Sequence, residues 1–291
     1  MIPIAQITQW RSIAPWPDDM QVEQDLILSR ILIEIFSDPF LNKELAFRGG
    51  TALHKLFFSP GARYSEDIDL VRTSKGAIKD IVDALRLRLE PWLGKPKTVR
   101  TARSFKMMFY FNPENSPSSR LRIKIEINIQ ENFVVLDRLA KKFTVQSDWF
   151  SGNIEINTFQ FEELIATKLR ALYERNKGRD VFDLWLALKV PEFDIKKSIQ
   201  VFLQYMKTEE KIINQKLFIE NINLKLKEHS FLDDIGPLLS TELRQSHSFP
   251  LVTREGDFLL TESKNRLVIE GWSLVDAAEE IKNKFLIYLP K

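Results

Sequence analysis

The chain has 291 residues, of which 44% are hydrophobic and 28% are charged, and its formal net charge is +2. This ordinary globular composition suits one large domain or two, and its near-neutral charge excludes non-specific nucleic-acid binding by the whole surface. The chain has no cysteine, which excludes a disulfide framework and cysteine-ligated zinc; without a long apolar run or a signal-peptide pattern, we expect a cytoplasmic protein with no membrane contact.

The first predicted element is an amphipathic helix within residues 18–40, where acidic residues come early, as the helix dipole prefers. A glycine turn follows at Gly49, Gly50 and Thr51. The glycines lack a Cβ, so the backbone can approach a ligand closely or adopt a positive φ. Thr51 is a good N-cap for the next helix, which includes Lys55. Free N–H groups at such a helix start suit a phosphate, although the pattern also fits an ordinary turn.

An acidic pair follows on a predicted strand, formed by Asp67 and Asp69 in the run SEDIDL. Because side chains alternate across a strand, both carboxylates project from one face, and Ile68 and Leu70 remain for the buried face. Adjacent carboxylates repel each other unless a cation lies between them, and oxygen ligands favour Mg²⁺ or Mn²⁺. A solvated strand edge is the alternative, but the turn, helix and acid pair within one unit favour a site for metal and phosphate.

Residues 76–93 predict a second helix, and residues 97–112 predict one strand or two. Residues 112–119 form a turn that leads to a strand at 121–129, so we expect an antiparallel hairpin. Its interleaved basic and aromatic residues are Arg100, Arg103, Phe105, Lys106, Phe109, Tyr110, Phe111, Arg120, Arg122 and Lys124. Such a cluster could hold an RNA end or a nucleotide base, or it could form a hairpin with one core face and one solvated face.

Strict alternation of apolar and polar residues in 121–129 predicts a half-buried strand. Glu126 is the only acid on its polar face, which also carries Arg122, Lys124 and Asn128. If this strand pairs beside the strand of Asp67, Glu126 completes a three-carboxylate set of the kind that two-metal phosphoryl transfer uses. The alternative is a surface glutamate that balances its basic neighbours across the sheet.

A strand at 154–158 precedes residues 161–189, which predict two helices with a break between them. Lys168 falls beside the apolar stripe of the first helix, so it either reaches outward or points into a polar cleft. Asp180 opens the second helix, where an acid commonly acts as a cap. In the functional interpretation, Lys168 neutralises the charge of a triphosphate. Asp180 then either orients this lysine or acts as a ligand itself.

The rest of the chain is predicted to be mainly helical. Residues 191–194 form a linker, residues 195–246 carry long helical patterns, and a final helix is expected around residues 274–285. We therefore predict an α+β fold, with a mixed sheet flanked by helices in residues 1–190 and a helical C-terminal domain in residues 191–291.

Four motifs carry a resemblance to a known family. They are GGTAL at Gly49, SEDIDL at Ser65, KIEIN at Lys124, and ELIATKLRAL at Glu163 followed by RDxxDL at Arg179. As a set they resemble the AbiEii/AbiGii-type nucleotidyltransferase toxins, a branch of the polymerase-β-like nucleotidyltransferases that includes the MenT toxins of mycobacteria. The resemblance implies a polymerase-β-like core, Mg²⁺, an antitoxin partner, and nucleotide transfer from an NTP to an acceptor such as the 3′ end of a tRNA.

The resemblance also assigns the predicted site. The predicted catalytic residues are Asp67, Asp69, Glu126, Lys168 and Asp180. The predicted metal ligands, for Mg²⁺ or Mn²⁺, are Asp67, Asp69 and Glu126. The predicted nucleotide contacts are Gly49, Gly50, Thr51, Lys55, Ser65 and Lys168. The acceptor stays open at this point, because the same fold could act on a protein hydroxyl or a small molecule, and a non-catalytic nucleotide-binding module would also retain these carboxylates.

Overall fold

The computed structural model describes residues 2–58, 61–131, 133–239, 248–249, 267–268 and 273–291. The chain divides into two compact units, Met1–Phe159 and Gln160–Lys291. The sequence predicts a boundary at residue 190, whereas the units divide earlier, because the helices that follow residue 160 pack with helices further along the chain. The two units are described separately below.

The first unit combines helices with a seven-stranded sheet. Its helices are α1 Ile4–Trp10, α2 Asp19–Phe36, α3 Pro39–Glu44, α4 Gly49–Ala52 with a π-helical continuation at Leu53–Phe57, and α5 Lys79–Leu93. Its strands are β1 Leu45–Arg48, β2 Asp67–Arg72, β3 Lys97–Arg100, β4 Ser104–Phe111, β5 Leu121–Asn128, β6 Leu139–Gln146 and β7 Ser151–Thr158. The predicted helices and strands of this region are therefore present, together with the unpredicted α1, α3, β1 and β6.

The sheet is mixed, with strand order β3-β4-β5-β2-β1-β7-β6. β2 pairs with β5 in parallel, and so does β1 with β7, whereas the other pairs are antiparallel. The predicted hairpin of β4 and β5 and the predicted mixed α+β fold are confirmed. β1 escapes prediction because its short apolar run shows no alternation.

One face of the sheet is buried, so the polar side chains of β5 project from the other face. Ile123, Ile125 and Ile127 of β5 are fully buried, and α2 packs against β5, β6 and β7. α2 starts at the Asp18 N-cap, and most of its residues are buried, including the polar Glu23, Gln24, Asp25 and Ser29. Glu126, which alternates with these isoleucines, therefore lies on the other face.

A buried polar cluster around Asp25 ties three segments of the first unit together. The Asp25 carboxylate on α2 accepts hydrogen bonds from Trp10 Nε1 at 2.9 Å and Trp16 Nε1 at 3.2 Å. It also pairs with Lys55 Nζ at 2.6 Å, and this ammonium lies 3.0 Å from Ser29 Oγ. Since a buried charge is tolerated only when it is paired and hydrogen-bonded, the cluster fixes α1 and the segment after the glycine turn against α2.

In its described residues, the second unit is mainly helical. Its helices are α6 Phe161–Glu174, α7 Arg179–Ala187, α8 Ile195–Thr208, α9 Gln215–Lys225, α10 His229–Leu232 and α11 Leu274–Lys284, and it also contains the short strand pair β8 Ser248–Phe249 and β9 Leu267–Val268. The part of the predicted helical run at residues 240–246 lies outside the described residues. Among the helices that the structure describes, none is both long and apolar enough to cross a membrane.

Candidate active site

The strand pairing brings three of the predicted site residues to one face of the sheet. Asp67 and Asp69 alternate on β2 with the buried Ile68 and Leu70. In the parallel pairing of β2 with β5, Asp69 lies opposite Glu126. Directly paired residues on neighbouring strands project from the same face. The two aspartates and Glu126 therefore share the face that is opposite the isoleucines of β5.

Lys124 lies between the carboxylates of β2 and β5. Its Nζ is 3.1 Å from Asp67 Oδ2 and 3.1 Å from Glu126 Oε2, and Lys106 Nζ lies 3.2 Å from Glu126 Oε1. Glu126 thus also balances basic neighbours, which was the alternative interpretation of this residue. In the described part of the chain, no group of three or more His, Cys, Asp or Glu side chains is arranged to hold a metal ion, and the Lys124 ammonium fills the place between two of the three predicted ligands.

The donor atoms on this face nevertheless fit a hard divalent cation. Asp67 Oδ1 is buried and has no hydrogen-bond partner among the described residues. Leaving a buried carboxylate oxygen without a partner is costly, so this atom is available as a ligand. Together with the carboxylates of Asp69 and Glu126, it makes an all-oxygen set, which is the chemistry that Mg²⁺ and Mn²⁺ prefer.

The pKa shifts of the carboxylates also favour a bound cation at this site. Burial, and then the neighbouring Asp67 carboxylate, raise the pKa of Asp69 above its ordinary value, although Lys124 and Arg48 oppose this shift. Burial also tends to raise the pKa of Glu126, but the hydrogen bond and charge of Lys124 outweigh burial, and the pKa is lowered. The charge of Glu126 is thus balanced by Lys124. The repulsion between the carboxylates of Asp69 and Asp67 persists, and an added cation would reduce it.

Gly49 allows Asp69 to approach the turn. Its φ is +84°, and a Cβ at this position would lie 2.5 Å from Asp69 Oδ2. Both facts require glycine, because a side chain at positive φ is strained and an atom at this distance would displace the carboxylate. The glycine therefore positions a catalytic candidate, in addition to any contact that its backbone makes with a phosphate.

Thr51 stabilises the glycine turn through hydrogen bonds and is not the N-cap of α4. α4 begins at Gly49 with Arg48 at the N-cap position, so the prediction of Thr51 as the N-cap is wrong. The buried Thr51 hydroxyl donates a hydrogen bond to the backbone carbonyl of Asp67 and lies 2.7 Å from Ser65 Oγ. The hydroxyl is occupied there, and it couples the glycine turn to the start of the acidic strand.

Replacing Gly49 with Ala is expected to reduce nucleotidyl transfer at least about tenfold, because the displaced Asp69 carboxylate leaves its position. The matched control is Gly94→Ala: Gly94 has φ +77°, but nothing lies within 4 Å of an added Cβ. Both variants carry backbone strain of about 1–2 kcal/mol, which chemical denaturation will measure. Equal activities of the two variants would contradict the positioning role of Gly49.

Lys55, a predicted nucleotide contact, is paired with a carboxylate of α2 in the structure. Its ammonium is directed to Asp25 and Ser29 on α2, inside the helical layer. Burial of an unpaired ammonium is unfavourable, so this charge is most stable with Asp25. We assign Lys55 to the structure of the first unit and omit it from the proposed nucleotide contacts.

Lys168 and Asp180 lie together in the second unit. Lys168 Nζ is 3.1 Å from Asp180 Oδ1 and 2.7 Å from Asp183 Oδ2, while two nitrogens of Arg175 each lie 2.7 Å from Asp180. Burial raises the pKa of Asp180, but the Lys168 charge and the Arg175 hydrogen bond outweigh it, so the pKa is lowered. The N-cap of α7 is Gly178 without a side-chain cap, which removes helix capping as the role of Asp180.

Sequence reasoning missed two members of this cluster. Neither Asp183, the second acid of the RDxxDL motif, nor Arg175 is among the predicted site residues. The signal for Asp183 is its spacing of three residues from Asp180, which puts both on one side of α7. No sequence signal identifies the Arg175 contact, because it depends on how the chain turns between α6 and α7.

The fold is that of the nucleotidyltransferases. MenT4, a nucleotidyltransferase toxin from Mycobacterium tuberculosis, superposes with a TM-score of 0.53 at 14% identity, over 99% of this chain and 90% of that one. A candidate nucleotidyltransferase from H. pylori superposes with a TM-score of 0.50 at 16% identity, over 93% of this chain and 95% of that one. At these identities, the likeness concerns the fold alone.

The family follows from the sequence. The AbiEii family, nucleotidyl transferase toxins of type IV toxin–antitoxin systems, matches residues 30–253. This is more than half of the chain, so the chain belongs to the AbiEii nucleotidyltransferase toxin family and is a nucleotidyltransferase, which implies an NTP substrate and a cognate antitoxin. No curated protein matches the chain by sequence. The predicted family, fold and enzyme class are confirmed.

Proposed function

We propose that this toxin transfers a nucleoside monophosphate from an NTP to a hydroxyl of an RNA acceptor, such as the 3′ end of a tRNA, in a Mg²⁺-dependent reaction in the cytoplasm. The observation that carries the proposal is the register of β2 and β5, in which Asp69 lies opposite Glu126. Three carboxylates on one face beside a glycine turn suit the charge of a triphosphate and its metal.

Asp67, Asp69 and Glu126 would hold Mg²⁺ or Mn²⁺. When bound, such an ion neutralises triphosphate charge and orients the phosphates for in-line displacement. The fit is supported by the partnerless Asp67 Oδ1 and by the all-oxygen donor set. Glu126 serves either as the third ligand or as the base that prepares the acceptor hydroxyl.

Other residues take the remaining roles. Backbone N–H groups of Gly49 and Gly50 bind the β- and γ-phosphates, while Thr51 and Ser65 keep the turn against β2. Lys168 stabilises charge on the triphosphate, and Asp180 orients its ammonium. The acceptor oxygen forms a bond to the α-phosphorus, the bond from that phosphorus to the β-phosphate oxygen breaks, and pyrophosphate leaves with the electron pair.

Replacing Lys124 with Gln is expected to strengthen Mn²⁺ binding about fivefold in the absence of NTP. The Lys124 ammonium competes with the ion for Asp67 and Glu126, and one unit charge about 4 Å away is worth about 1 kcal/mol even in water. Isothermal titration or the electron paramagnetic resonance signal of free Mn²⁺ measures this affinity.

The matched control for this titration is Lys106→Gln. Lys106 lies on the neighbouring strand β4, where it contacts Glu126 at 3.2 Å and forms no ion pair with Asp67. We expect a smaller change in affinity for this variant. Weaker Mn²⁺ binding by the Lys124 variant would mean that the lysine holds the carboxylates in place for the ion and does not compete with it.

The proposed function is tested by incubating the protein with each α-³²P-labelled NTP in turn, together with total tRNA or a cell lysate. We expect a labelled product that ribonuclease removes and protease leaves intact. A product that protease removes would assign the acceptor to a protein, and a labelled small molecule would exclude both. If the protein binds Mg²⁺-NTP but yields no labelled product, it is a non-catalytic nucleotide-binding module.

A further inference from the structure

The register of three strands extends the carboxylate face toward the edge of the sheet. Tyr110 pairs with Arg122, and Met108 pairs with Lys124. On the edge strand, Lys97 pairs with Met108 in turn. Since paired residues share a face, these side chains stand on the same face as Glu126. Phe105, Phe109 and Phe111 alternate with them and face the other way.

This arrangement separates the basic and aromatic cluster of the sequence into two sets. The carboxylate face carries Lys106 and Lys124, which pair with the carboxylates themselves. Beyond them it carries Lys97, Val99, Met108, Tyr110 and Arg122, which are called the platform below. Lys97, Val99 and Arg122 are exposed, and Met108 and Tyr110 are half-buried. Tyr110 is thus the only aromatic of the β4 strand on this face, and the platform is accessible within the first unit.

The cations of the platform have no acidic partner among the described residues. Within the residues that the structure describes, no carboxylate forms an ion pair with Lys97, Arg122 or the adjacent Arg120. Unpaired surface cations are common, but here they stand on one sheet face that leads directly to a phosphoryl-transfer candidate site. Lysine is depleted at the core of protein–protein interfaces, whereas phosphate backbones are bound by lysine and arginine.

The platform also offers a flat surface for a base. The Arg120 guanidinium carbon lies 4.4 Å from the centre of the Tyr110 ring, and Lys97 Nζ lies 5.6 Å from it. Unstacked bases stack on aromatic rings, which contributes about 1–3 kcal/mol per base, and they also stack on guanidinium planes. Duplex RNA, in contrast, is recognised by its shape across the minor groove, for which a single tyrosine is of little use.

We infer that the platform binds the single-stranded 3′ end of the acceptor RNA, with phosphates on Lys97 and Arg122 and a base on the Tyr110–Arg120 pair. This rests on the proposed function, because it directs the terminal hydroxyl along β5 toward Glu126. From residue 122 to residue 126 the strand rises about 13 Å at about 3.3 Å per residue. At about 3.4 Å per stacked nucleotide, an overhang of about four nucleotides spans this distance.

Fluorescence anisotropy with the full chain tests the inference, without NTP and over a range of salt concentrations. The probes are a labelled single-stranded RNA with a free 3′ end and a blunt-ended hairpin of equal length. We expect the wild-type chain to prefer the single strand. The variant Lys97→Gln/Arg122→Gln should bind it at least about tenfold more weakly, with a salt slope reduced by about 1.4, since each lost phosphate contact on a single strand contributes about 0.7.

Tyr110→Ala separates stacking from charge. We expect it to weaken binding of the single strand about tenfold while the salt slope stays unchanged. The control variant Arg100→Gln/Arg103→Gln removes the same charge from the exposed end of β3 and the turn after it, away from the platform face, and should bind like the wild type. If the control and platform variants lose equal RNA affinity, net charge alone explains the binding, and the inference is overturned.

Two further measurements distinguish a failure of this inference from a failure of the proposed function. Mg²⁺-NTP binding by the platform variants, measured by calorimetry, should match the wild type, because none of these residues contacts the carboxylates. If labelling yields an RNA product but the platform variants bind RNA normally, the inference fails and the proposed function stands. If the labelled product is a protein, or if the hairpin binds as well as the single strand, the platform is not a site for an RNA 3′ end.

Discussion

Replacing Asp69 with Asn is expected to lower the initial rate of label transfer from α-³²P-NTP by about 10³-fold or more. Asp69 is the central carboxylate of the face, opposite Glu126 and in contact range of the glycine turn. Loss of one charge from such a set removes both ligand strength and transition-state stabilisation, and about 4 kcal/mol corresponds to this factor.

The same variant should not lose stability. The pKa of Asp69 is raised by burial and by the Asp67 carboxylate, so its charge costs more free energy in the folded chain than in the unfolded chain, and the neutral amide removes this cost. We expect a midpoint of chemical denaturation equal to or above that of the wild type. Inactivity with an unchanged midpoint would separate catalysis from folding, as is common where function is gained against stability.

A suitable control is Asp83→Asn on the exposed side of α5, where the Asp83 side chain is 53% exposed and lies near Arg86. An exposed pair of this kind contributes little, so both activity and stability should stay at the wild-type level. Near-wild-type labelling by the Asp69 variant would remove the carboxylate set from the mechanism.

Replacing Asp25 with Ala is expected to destabilise the first unit by about 3–5 kcal/mol, because it removes the Asp25 carboxylate from the buried Lys55 ammonium. Two indole N–H groups, of Trp10 and Trp16, lose their acceptor at the same time. Urea denaturation followed by tryptophan fluorescence measures the change, and these two indoles report directly on the site.

The companion variant is Lys55→Met, alone and combined with Asp25→Asn. Removing both charges leaves no unpaired ion, so the double variant should be more stable than the sum of the two single losses predicts. Additive losses would mean that the ion pair is not what holds this cluster together. The glycine turn lies close in sequence to Lys55, so a reduced activity of the double variant, at unchanged stability, would reveal coupling between the cluster and the turn.

Much of the fold could be predicted from local patterns. The alternation in residues 121–129 identified both β5 and the face of Glu126, and the apolar period of residues 18–40 identified α2. These elements carry a period over many residues, which local sequence expresses directly. β1 and β6 could not be recognised in the same way, because one is too short to alternate and the other alternates clearly only from Phe143.

The site shows the same division. The sequence identifies Asp67, Asp69 and Glu126 as acids on polar faces, and the family supplies Lys168 and Asp180. The contacts of Lys124 and Lys55 could not be predicted in this way. Lys124 faces Asp67 only because β2 and β5 are parallel neighbours, and Lys55 reaches Asp25 only because the helix after the glycine turn lies against α2.

Local sequence is enough to establish the composition class, the main helices and strands, the faces on which the acids project, and the family. Each of these follows from residues within one element or from motifs in a fixed order. The folded chain was needed to show which strands are neighbours, that a lysine lies between two carboxylates, and that Gly49 leaves space for Asp69. These contacts join residues far apart in the chain, and they depend on strand order and register, which local preferences do not encode.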